Sequence, residues 1–307
     1  MSRTGKPSPR AEETLGGFTC NICGAHNSST AAATERERAT CLNCHSSIRF
    51  RSVMLTLSRA LFGLDLKLTE FPVLKSIHGL GFSDSDTYSG YLESRFSYAN
   101  TFYDRQPCLD LLRPDEKEFG KYDFLICSDV LEHVPAPIDR AFLTLGRLLK
   151  PTGILIVTVP YSLETDTIEH YPDLTASVLT EIGGRTVLVG RSSSGKYRVF
   201  DQLEFHGGIG STLEQRIFSD AGIRAGLARA GFVQVRFDPV ESRAFGVVYA
   251  APCSLPIVAR RGPLSFDAAA ITELVGQWNR VWGAIEASRW IRLGRIFGVG
   301  PRREPRS

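Results

Sequence analysis

Four cysteines near the start of the chain have the spacing of a metal site. They form two Cys-x-x-Cys pairs, Cys20 with Cys23 and Cys41 with Cys44, and the gap between the pairs falls in the range of four-thiolate zinc sites. Four Zn–S bonds of about 2.3 Å close a tetrahedral shell that leaves no open position for a substrate. The pattern therefore predicts one structural zinc ion, with His45, next to Cys44, as an alternative ligand.

Composition and charge limit the class of protein. Of the 307 residues, 43% are hydrophobic and 22% are charged, which excludes collagen-like, coiled-coil and wholly disordered chains. No apolar run is long enough to span a membrane, and the first residues lack the apolar stretch of a secretion signal, so we expect a cytoplasmic protein. The formal net charge is +3, and the excess of basic residues lies at the two ends of the chain. The residues between the ends are mildly acidic, which argues against nucleic acid as the main partner.

The chain divides into four segments that would position these groups. We expect a disordered tail (1–17), a zinc ribbon with a connecting helix (18–62), an α/β domain (63–261), and C-terminal amphipathic helices with a basic tail (262–307). The hydrophobic patterns predict helices over Ser47–Phe62, Asp84–Arg95, Pro137–Leu149, Leu213–Ala230 and Asp267–Phe297. They predict strands over Val73–Ile77, Phe96–Phe102, Tyr122–Cys127, Ile154–Val159, Phe232–Phe237, Phe245–Ala250 and Ser254–Arg260.

Alternating strands and helices predict a mostly parallel sheet with helices on both faces. Residues 160–211 form a connection much longer than the sheet needs, and a hairpin is expected over Thr186–Phe200. Long segments in compact domains are commonly binding elements. We therefore expect this segment to be a lid that carries acceptor specificity.

The segment 121–161 holds the most specific motif, KYDFLICSDVLEHV followed by RLLKPTGILIVTVPY. It resembles the fourth strand through the fifth strand of the class I S-adenosylmethionine-dependent methyltransferases (type 11-like). The resemblance covers roughly residues 70–260 and is strongest in 120–160. It implies a Rossmann-like sheet, S-adenosyl-L-methionine as cofactor, and methyl transfer as the activity.

The resemblance also implies a set of cofactor-binding residues. Gly79 and Gly81 stand where the family has its glycine-rich first loop, Asp110 stands where an aspartate accepts the adenine amino hydrogen, and Ser128 and Asp129 follow the fourth strand. The backbone N–H of Leu111 would meet the adenine ring, and Asn100 or Asp104 would replace the acid that usually binds the ribose. The chain departs from the family at Ile77, where an acid is usual, and at Ser83, where a glycine is usual.

Three histidines are candidates for the chemistry. Methyl transfer is an in-line displacement that depends mainly on positioning, and a base is needed only when the acceptor loses a proton. His206, followed by two glycines, and His170, beside a possible orienting Glu169, are the preferred bases, and His133 follows the fourth strand. The polar and aromatic content of the lid favours a small-molecule or saccharide acceptor.

The carboxyl-terminal segment contains all three tryptophans, Trp278, Trp282 and Trp290, among arginines. This pattern is typical of interfacial or partner-packing helices. Residues 288–301 resemble tails of bacterial glycosyltransferases of surface-polysaccharide pathways. We therefore expect either contact with the inner membrane face or a glycosyltransferase, or a helix packed on its own domain.

Three functions remain open at this point. The leading one is a methyltransferase acting on a small-molecule or glycan-like acceptor in cell-surface polysaccharide biosynthesis, most simply at oxygen. A second is a zinc-ribbon RNA methyltransferase, favoured by Arg36, Arg38, Arg49 and Arg51 near the cysteines and disfavoured by the acidic body. A third is a degenerate, non-catalytic module that binds S-adenosylmethionine or a partner, suggested by the missing acid at Ile77.

Overall fold

A computed structural model describes residues 17–28, 36–206, 212–238, 241–249 and 254–291. Nearly all of the tail predicted as disordered and the basic end of the chain lie outside these ranges. Among the described helices, none combines the length and hydropathy needed to cross a membrane.

A six-stranded sheet forms the centre of the α/β domain. Its strands are β1 (Leu74–Phe82), β2 (Phe96–Thr101), β3 (Tyr122–Ser128), β4 (Leu149–Thr158), β5 (Gln234–Phe237) and β6 (Ile257–Arg260). They lie in the order β5-β6-β4-β3-β1-β2. Strands β1 to β4 pair in parallel, whereas β5 and β6 are antiparallel additions at one edge. The predicted Rossmann-like, mostly parallel architecture is confirmed.

Both faces of this sheet are buried, as parallel sheets require. Along β3, Phe124 and Ile126 enter one hydrophobic cluster, whereas Leu125 and Cys127 enter the cluster on the opposite face. This alternation follows from the two-residue period of a strand. Each such apolar side chain contributes about 1.5–3 kcal/mol when fully buried.

Five helices of the described residues accompany the sheet. They are α1 (Ile48–Phe62), α2 (Asp86–Arg95), α3 (Asp139–Leu148), α4 (Asp220–Arg229) and α5 (Ala268–Ala287). Helix α1 starts at Ser47, whose side chain accepts a hydrogen bond from the Phe50 N–H at 3.4 Å, and it ends at Gly63 with φ of 69°. Helix α5 packs against the β1 segment, where Gln277 accepts a hydrogen bond from the Val73 N–H at 3.0 Å. Helix α1 matches its prediction. Helix α5 begins as predicted but ends at Ala287, before extended Ser288, and not at Phe297, which lies outside the described residues.

The two glycines assigned to a loop lie inside a strand instead. Gly79 and Gly81 belong to β1, which runs on to Phe82, so the prediction of a glycine-rich loop at these residues is wrong. The reason is packing: an added Cβ at Gly79 would meet the Phe124 ring, and one at Gly81 would meet Tyr98. These glycines admit neighbouring aromatic rings, and the loop proper begins at Ser83, which has φ of 57°.

Two other predicted elements differ in the structure. The family resemblance places a third strand at Cys108–Leu112. The structure has a single bridge there, between Phe102 and Cys108, because Asp110 caps a turn by accepting the Leu112 N–H at 2.8 Å. The helix expected from Leu213 begins only at Asp220. A strand over 216–219 precedes it and pairs with Tyr161–Ser162 and Ile168–Glu169, so tertiary pairing overrides the helical pattern.

The strand expected over Phe245–Ala250 is wrong. Arg243–Phe245 forms a single 3-10 turn, and Gly246 follows with φ of 64°. This left-handed backbone interrupts an extended chain. Ala250 lies outside the described residues.

The long connection after β4 folds into small sheets. Three antiparallel strands cover Leu174–Ile182, Arg185–Ser192 and Tyr197–Phe200. The predicted hairpin over Thr186–Phe200 is confirmed, and the first strand is an addition that the sequence reasoning missed. The turn that joins this first strand to the second is Gly183-Gly184. Its two φ angles, 58° and 74°, are both positive, as a tight two-residue hairpin turn requires.

Candidate functional site

The four predicted metal ligands come together in space. The Sγ atoms of Cys20, Cys23, Cys41 and Cys44 all lie within 4.8 Å of one another. Two pairs of sulfurs, Cys20 with Cys44 and Cys23 with Cys41, are 3.7 Å apart, which is the edge of a tetrahedron built from Zn–S bonds of about 2.3 Å. The cluster therefore fits a structural zinc ion. Its chemistry would be to hold the ribbon together, since four sulfurs leave no coordination position open.

A buried arginine beside the cluster supports charged thiolates at this site. Arg51 is fully buried, and its guanidinium donates to Ser46 O and to Thr40 Oγ1, each at 2.8 Å. Burial lowers the pKa of Arg51, while the charges of the cysteine thiolates raise it. Because a lone buried cation is costly, four thiolates around one Zn²⁺, with net charge of about −2, provide the balancing charge.

A cavity of about 480 Å³ opens where β1 and β2 end. Ligand cavities usually measure roughly 300–1,000 Å³, and open α/β sheets bind ligands outside the carboxyl ends of their strands. The lining consists of the loop after β1 and the segment after β2: Ser83, Asp84, Ser85, Asp86, Thr87, Phe102, Asp104 and Arg105. Carboxylates suit ribose hydroxyls and the positive charges of S-adenosylmethionine. The Phe102 ring carries the Arg105 guanidinium, 3.8 Å from the ring centroid. The donor set fits this cofactor.

A buried carboxyl group shapes one wall of this cavity. Asp84 accepts a hydrogen bond from Tyr88 Oη at 2.8 Å and another from Tyr98 Oη. Burial raises the pKa of Asp84 to about 6, although both tyrosines lower it. Asn100 fixes the backbone of Asp84, accepting from its N–H at 2.9 Å and donating to its carbonyl at 2.8 Å. Asn100 and Gly81 thus serve this loop, a role that the sequence reasoning missed.

The remaining predicted cofactor residues do not all meet here. Asp104 lines the cavity, but Asp110 caps a turn and Leu111 is buried in the core. Ser128 is the last residue of β3, and Asp129, which follows it, lines a separate cavity. The sequence signal that could have found Asp84 is its position in the first loop, two residues after the end of β1.

The second cavity, of about 290 Å³, lies at the carboxyl end of β3. Among the described residues, five polar side chains line it: Glu37, Arg49, Asp129, His133 and Thr212. Two of them come from the amino-terminal segment, two from the turn after β3, and one from the connection after β4. The lining predicts a small hydrophilic ligand.

Asp129 is the most constrained group of this second cavity. Its backbone has φ of 53°, and its carboxylate receives both terminal nitrogens of Arg36, at 2.6 and 2.7 Å. Thr158 Oγ1 donates to it at 2.8 Å. Burial raises the pKa of Asp129, but the hydrogen bonds and charge of Arg36, with the charge of Arg49, outweigh burial and lower it to about 2.

The turn after β3 also holds one histidine in a defined orientation. His133 Nδ1 lies 2.9 Å from the carbonyl oxygen of Leu213. Because a carbonyl can only accept, Nδ1 carries the hydrogen, and the neutral ring has its lone pair on Nε2. The neighbouring Glu132 is fully buried. Burial raises its pKa well above the usual range, and the charge of Asp129 adds to the rise.

The other two candidate bases are placed differently. His170 Nε2 lies 3.0 Å from Glu214, not from Glu169, which corrects the expected orienting partner. Glu169 pairs with the fully buried Arg216 at 2.7 Å, and Arg216 donates to the carbonyls of Leu131 and Val134. The backbone of His206 pairs with Thr212 in a two-residue strand, and its side chain lies outside the described part of the chain. The side chains of His133 and His170 are both described, and of these two only His133 lines one of the cavities.

Comparison with known proteins identifies the domain. Residues 79–188 match the family model of a methyltransferase domain, about a third of the chain. No curated protein sequence matches. Among solved structures, one similar chain is the 1,6-didemethyltoxoflavin-N1-methyltransferase of Burkholderia thailandensis, with 14% identity over 69% of this chain and 77% of that chain, and a TM-score of 0.38.

Two further solved chains are similar to this one. A sugar N-methyltransferase from a Streptoalloteichus species is 16% identical over 60% of this chain and 80% of its own, with a TM-score of 0.36. An amino pentose methyltransferase from Micromonospora echinaspora is 17% identical over 61% of this chain and 84% of its own, with a TM-score of 0.35. The family match shows that residues 79–188 are similar to a methyltransferase domain.

Proposed function

We propose that the chain transfers a methyl group from S-adenosylmethionine to a hydroxyl of a small polar acceptor, saccharide-like in chemistry, held in the 290 Å³ cavity. The observation that carries this proposal is the orientation of His133, whose Nδ1 is hydrogen-bonded at 2.9 Å to Leu213 O while the ring lines the cavity. The all-polar lining supports a hydroxyl-rich ligand, which could be a precursor for surface-polysaccharide synthesis.

The residues of the chain divide the work between the two cavities. The bound cofactor would supply an electrophilic methyl group, and Asp104 would hold its nucleoside part in the 480 Å³ cavity. An acceptor hydroxyl must lose its proton as the new carbon–oxygen bond forms. His133 Nε2 would take that proton, because Nδ1 is already a donor to Leu213. We retain as secondary proposals the predicted cofactor-binding roles of Asp110, Leu111 and Ser128. We also retain the predicted roles of His170 and His206 as bases.

His133→Gln tests the base. Turnover should fall by roughly 10²–10⁴, while affinity for S-adenosylhomocysteine should stay within about twofold, because the cofactor cavity is built from other loops. His78→Gln, an exposed histidine on β1, is the matched control and should behave as wild type.

The assay follows labelled methyl groups from S-adenosylmethionine into separate saccharide, small-amine and RNA fractions of a lysate. Label in the saccharide fraction, lost in His133→Gln, supports the proposal. Label mainly in RNA, with uptake that falls steeply with salt, would replace it with the RNA alternative. A His133→Gln protein with normal turnover would exclude His133 and direct attention to His206 and His170.

The exposed apolar face of α5 suggests where the enzyme works. Trp278 is 62% exposed, and Ile271, Leu274, Val275 and Val281 lie exposed on the same side of the helix. The residues that follow are rich in arginine. We propose that this face rests on an anionic membrane surface, since exposed apolar stripes beside basic charge are typical of interfacial helices.

Tryptophan fluorescence reports on this face directly, because the three tryptophans of the chain all lie within 278–290. Vesicles containing anionic lipid should shift the emission to the blue, and neutral vesicles should not. Val275→Ser with Trp278→Ser should abolish binding, whereas Val178→Ser, 60% exposed on the hairpin, should leave it intact. Concentration-dependent self-association without vesicle binding, or capture of a glycosyltransferase alone, would contradict the membrane proposal.

A further inference from the structure

The segment between the two cysteine pairs reaches the methyl-transfer site. Arg36 lies in this segment, and both terminal nitrogens of its guanidinium bind the Asp129 carboxylate at 2.6 and 2.7 Å. Such a two-point arrangement fixes both distance and angle, which a single ion pair does not. The side chains are 18% and 10% exposed, so water competes with them much less than at an open surface. Arg36 is therefore a geometric restraint on the turn after β3.

A second arginine from α1 acts on the same turn. Arg49 donates to Ser128 Oγ at 2.9 Å, and its Nε lies 3.3 Å from Asp129. Glu37 joins the two arginines, with its carboxylate 2.6 Å from Arg36 and 2.9 Å from Arg49. Two cations and two carboxylates thus meet above the end of β3 with no net charge.

The cysteine cluster is connected to these arginines by short, well-defined contacts. The Cys41 and Thr40 N–H groups both donate to Ser46 O, at 3.3 and 3.1 Å, which closes the second cysteine turn just before α1. The Arg49 N–H then donates to Arg36 O at 3.1 Å. The first turn of α1 therefore holds Arg36 and Arg49 at a position that depends on the cysteine turn.

We propose that Arg36 and Arg49 are positioning residues of the acceptor cavity. The cysteine module, which is the two cysteine pairs, the segment with Arg36 and Glu37, and α1, then sets the geometry of the methyl-transfer site. The inference rests on the proposed function of that cavity. The arginines hold Asp129 in its left-handed backbone and occupy both of its carboxylate oxygens, so Asp129 shapes the cavity and does not itself bind a ligand group. Because the surrounding charges cancel, the cavity favours a neutral polar acceptor over a phosphorylated one.

Hydrogen exchange in the full chain tests this positioning role. Arg36→Gln should speed exchange of the amides of residues 129–134 by at least tenfold, because the turn loses its main restraint. Arg36→Lys, which keeps the charge but not the two-point geometry, should give a smaller increase. Arg38→Gln is the matched control: Arg38 is exposed two residues away, and its variant should exchange as wild type does.

Metal removal supplies the second arm of the test. Treating the wild-type protein with a zinc chelator should speed exchange at residues 129–134 as Arg36→Gln does, and treating the Arg36→Gln protein should add little there, because both changes remove the same contact. Equal exchange in Arg36→Gln and Arg38→Gln would overturn the proposal. So would chelation that opens residues 18–28 and 40–46 and leaves 129–134 protected.

S-adenosylhomocysteine binding, measured on the same samples, separates this proposal from the proposed function. If the wild-type protein does not bind S-adenosylhomocysteine, the proposed methyl-transfer function is wrong. The hydrogen-exchange result for Arg36 stands independently of that outcome. If Arg36→Gln does not fold, the Arg36→Lys and chelation arms decide the outcome.

Discussion

At the scale of single residues, the site is governed by carboxyl groups whose surroundings push their pKa values in opposite directions. Arg36 and Arg49 lower the pKa of Asp129 to about 2 against the effect of burial. Burial raises the pKa of Glu132 well above its usual range, and raises the pKa of Asp84 to about 6. Groups with such divergent values cluster at functional sites, and these three lie in the turns after β1 and β3.

The Asp129 pair should make stability depend on pH. An unfolded aspartate titrates near about 3.9, so the folded group, with a pKa of about 2, binds fewer protons than the unfolded one between these values. Its contribution is therefore fully present above about pH 5 and is lost as the pH falls toward 2, with a size of up to about 2.5 kcal/mol.

Urea unfolding of the wild type and Asp129→Asn between pH 7 and pH 2.5 checks this expectation. The difference in free energy of unfolding between the two proteins should be largest near neutrality and should shrink below about pH 4. Asp166→Asn, at an exposed position, should show no such trend. A difference that stays constant with pH would mean that the carboxylate is not held by the arginines.

At the scale of elements, the sequence reasoning succeeded where the local signals were strong. Helix α1 has its capping serine and terminal glycine in the sequence, and β3 and β4 each contain a continuous apolar run, Phe124–Cys127 and Ile154–Val157. It failed where a distant partner decides the conformation. The residues 216–219 form a strand because Tyr161–Ser162 and Ile168–Glu169 flank them, and no local pattern shows that pairing.

The same limit applies to the candidate site. The four cysteines are identifiable from spacing alone, and the SDVLEHV motif locates Asp129 and His133. The pairing of Arg36 with Asp129 joins residues far apart in the chain, so spacing could not reveal it. The role of Gly81 was also hidden, because the Tyr98 hydroxyl that requires it comes from another strand, β2.

Two glycines, Gly81 in β1 and Gly90 in α2, offer substitutions with opposite expected effects on stability. Gly81→Ala should lower the free energy of unfolding by about 1–3 kcal/mol, because the new Cβ would press on the buried Tyr98 hydroxyl and the Asp84 carboxylate. Gly90→Ala, in α2, has no atom within 4 Å of the added Cβ and should raise it by about 0.5–1 kcal/mol. Thermal and urea unfolding of the two variants measure both signs. A stabilised or unchanged Gly81→Ala protein would show that β1 does not approach Tyr98 and Asp84 so closely.

At the scale of the whole molecule, three parts of the chain converge on one edge of the sheet. The cysteine module contributes Glu37 and Arg49, the α/β domain contributes Asp129 and His133, and the connection after β4 contributes Thr212. The larger cavity lies at the ends of β1 and β2, on the same carboxyl edge as the smaller one at the end of β3. With the proposed assignment of the cofactor to the larger cavity and the acceptor to the smaller one, the two would lie at the ends of strands of one sheet, as in-line transfer requires.

The most direct test of this account is a calorimetric titration of the full chain with S-adenosylhomocysteine. The account predicts one-to-one binding to the wild type, and at least tenfold weaker binding to Asp104→Ala, about 1.4 kcal/mol, because Asp104 lines the larger cavity. Asp166→Ala, an exposed aspartate outside both cavities, should bind as the wild type does. The absence of binding to the wild type, or equal affinity of the Asp104→Ala and Asp166→Ala proteins, would contradict the placement of the cofactor at the ends of β1 and β2.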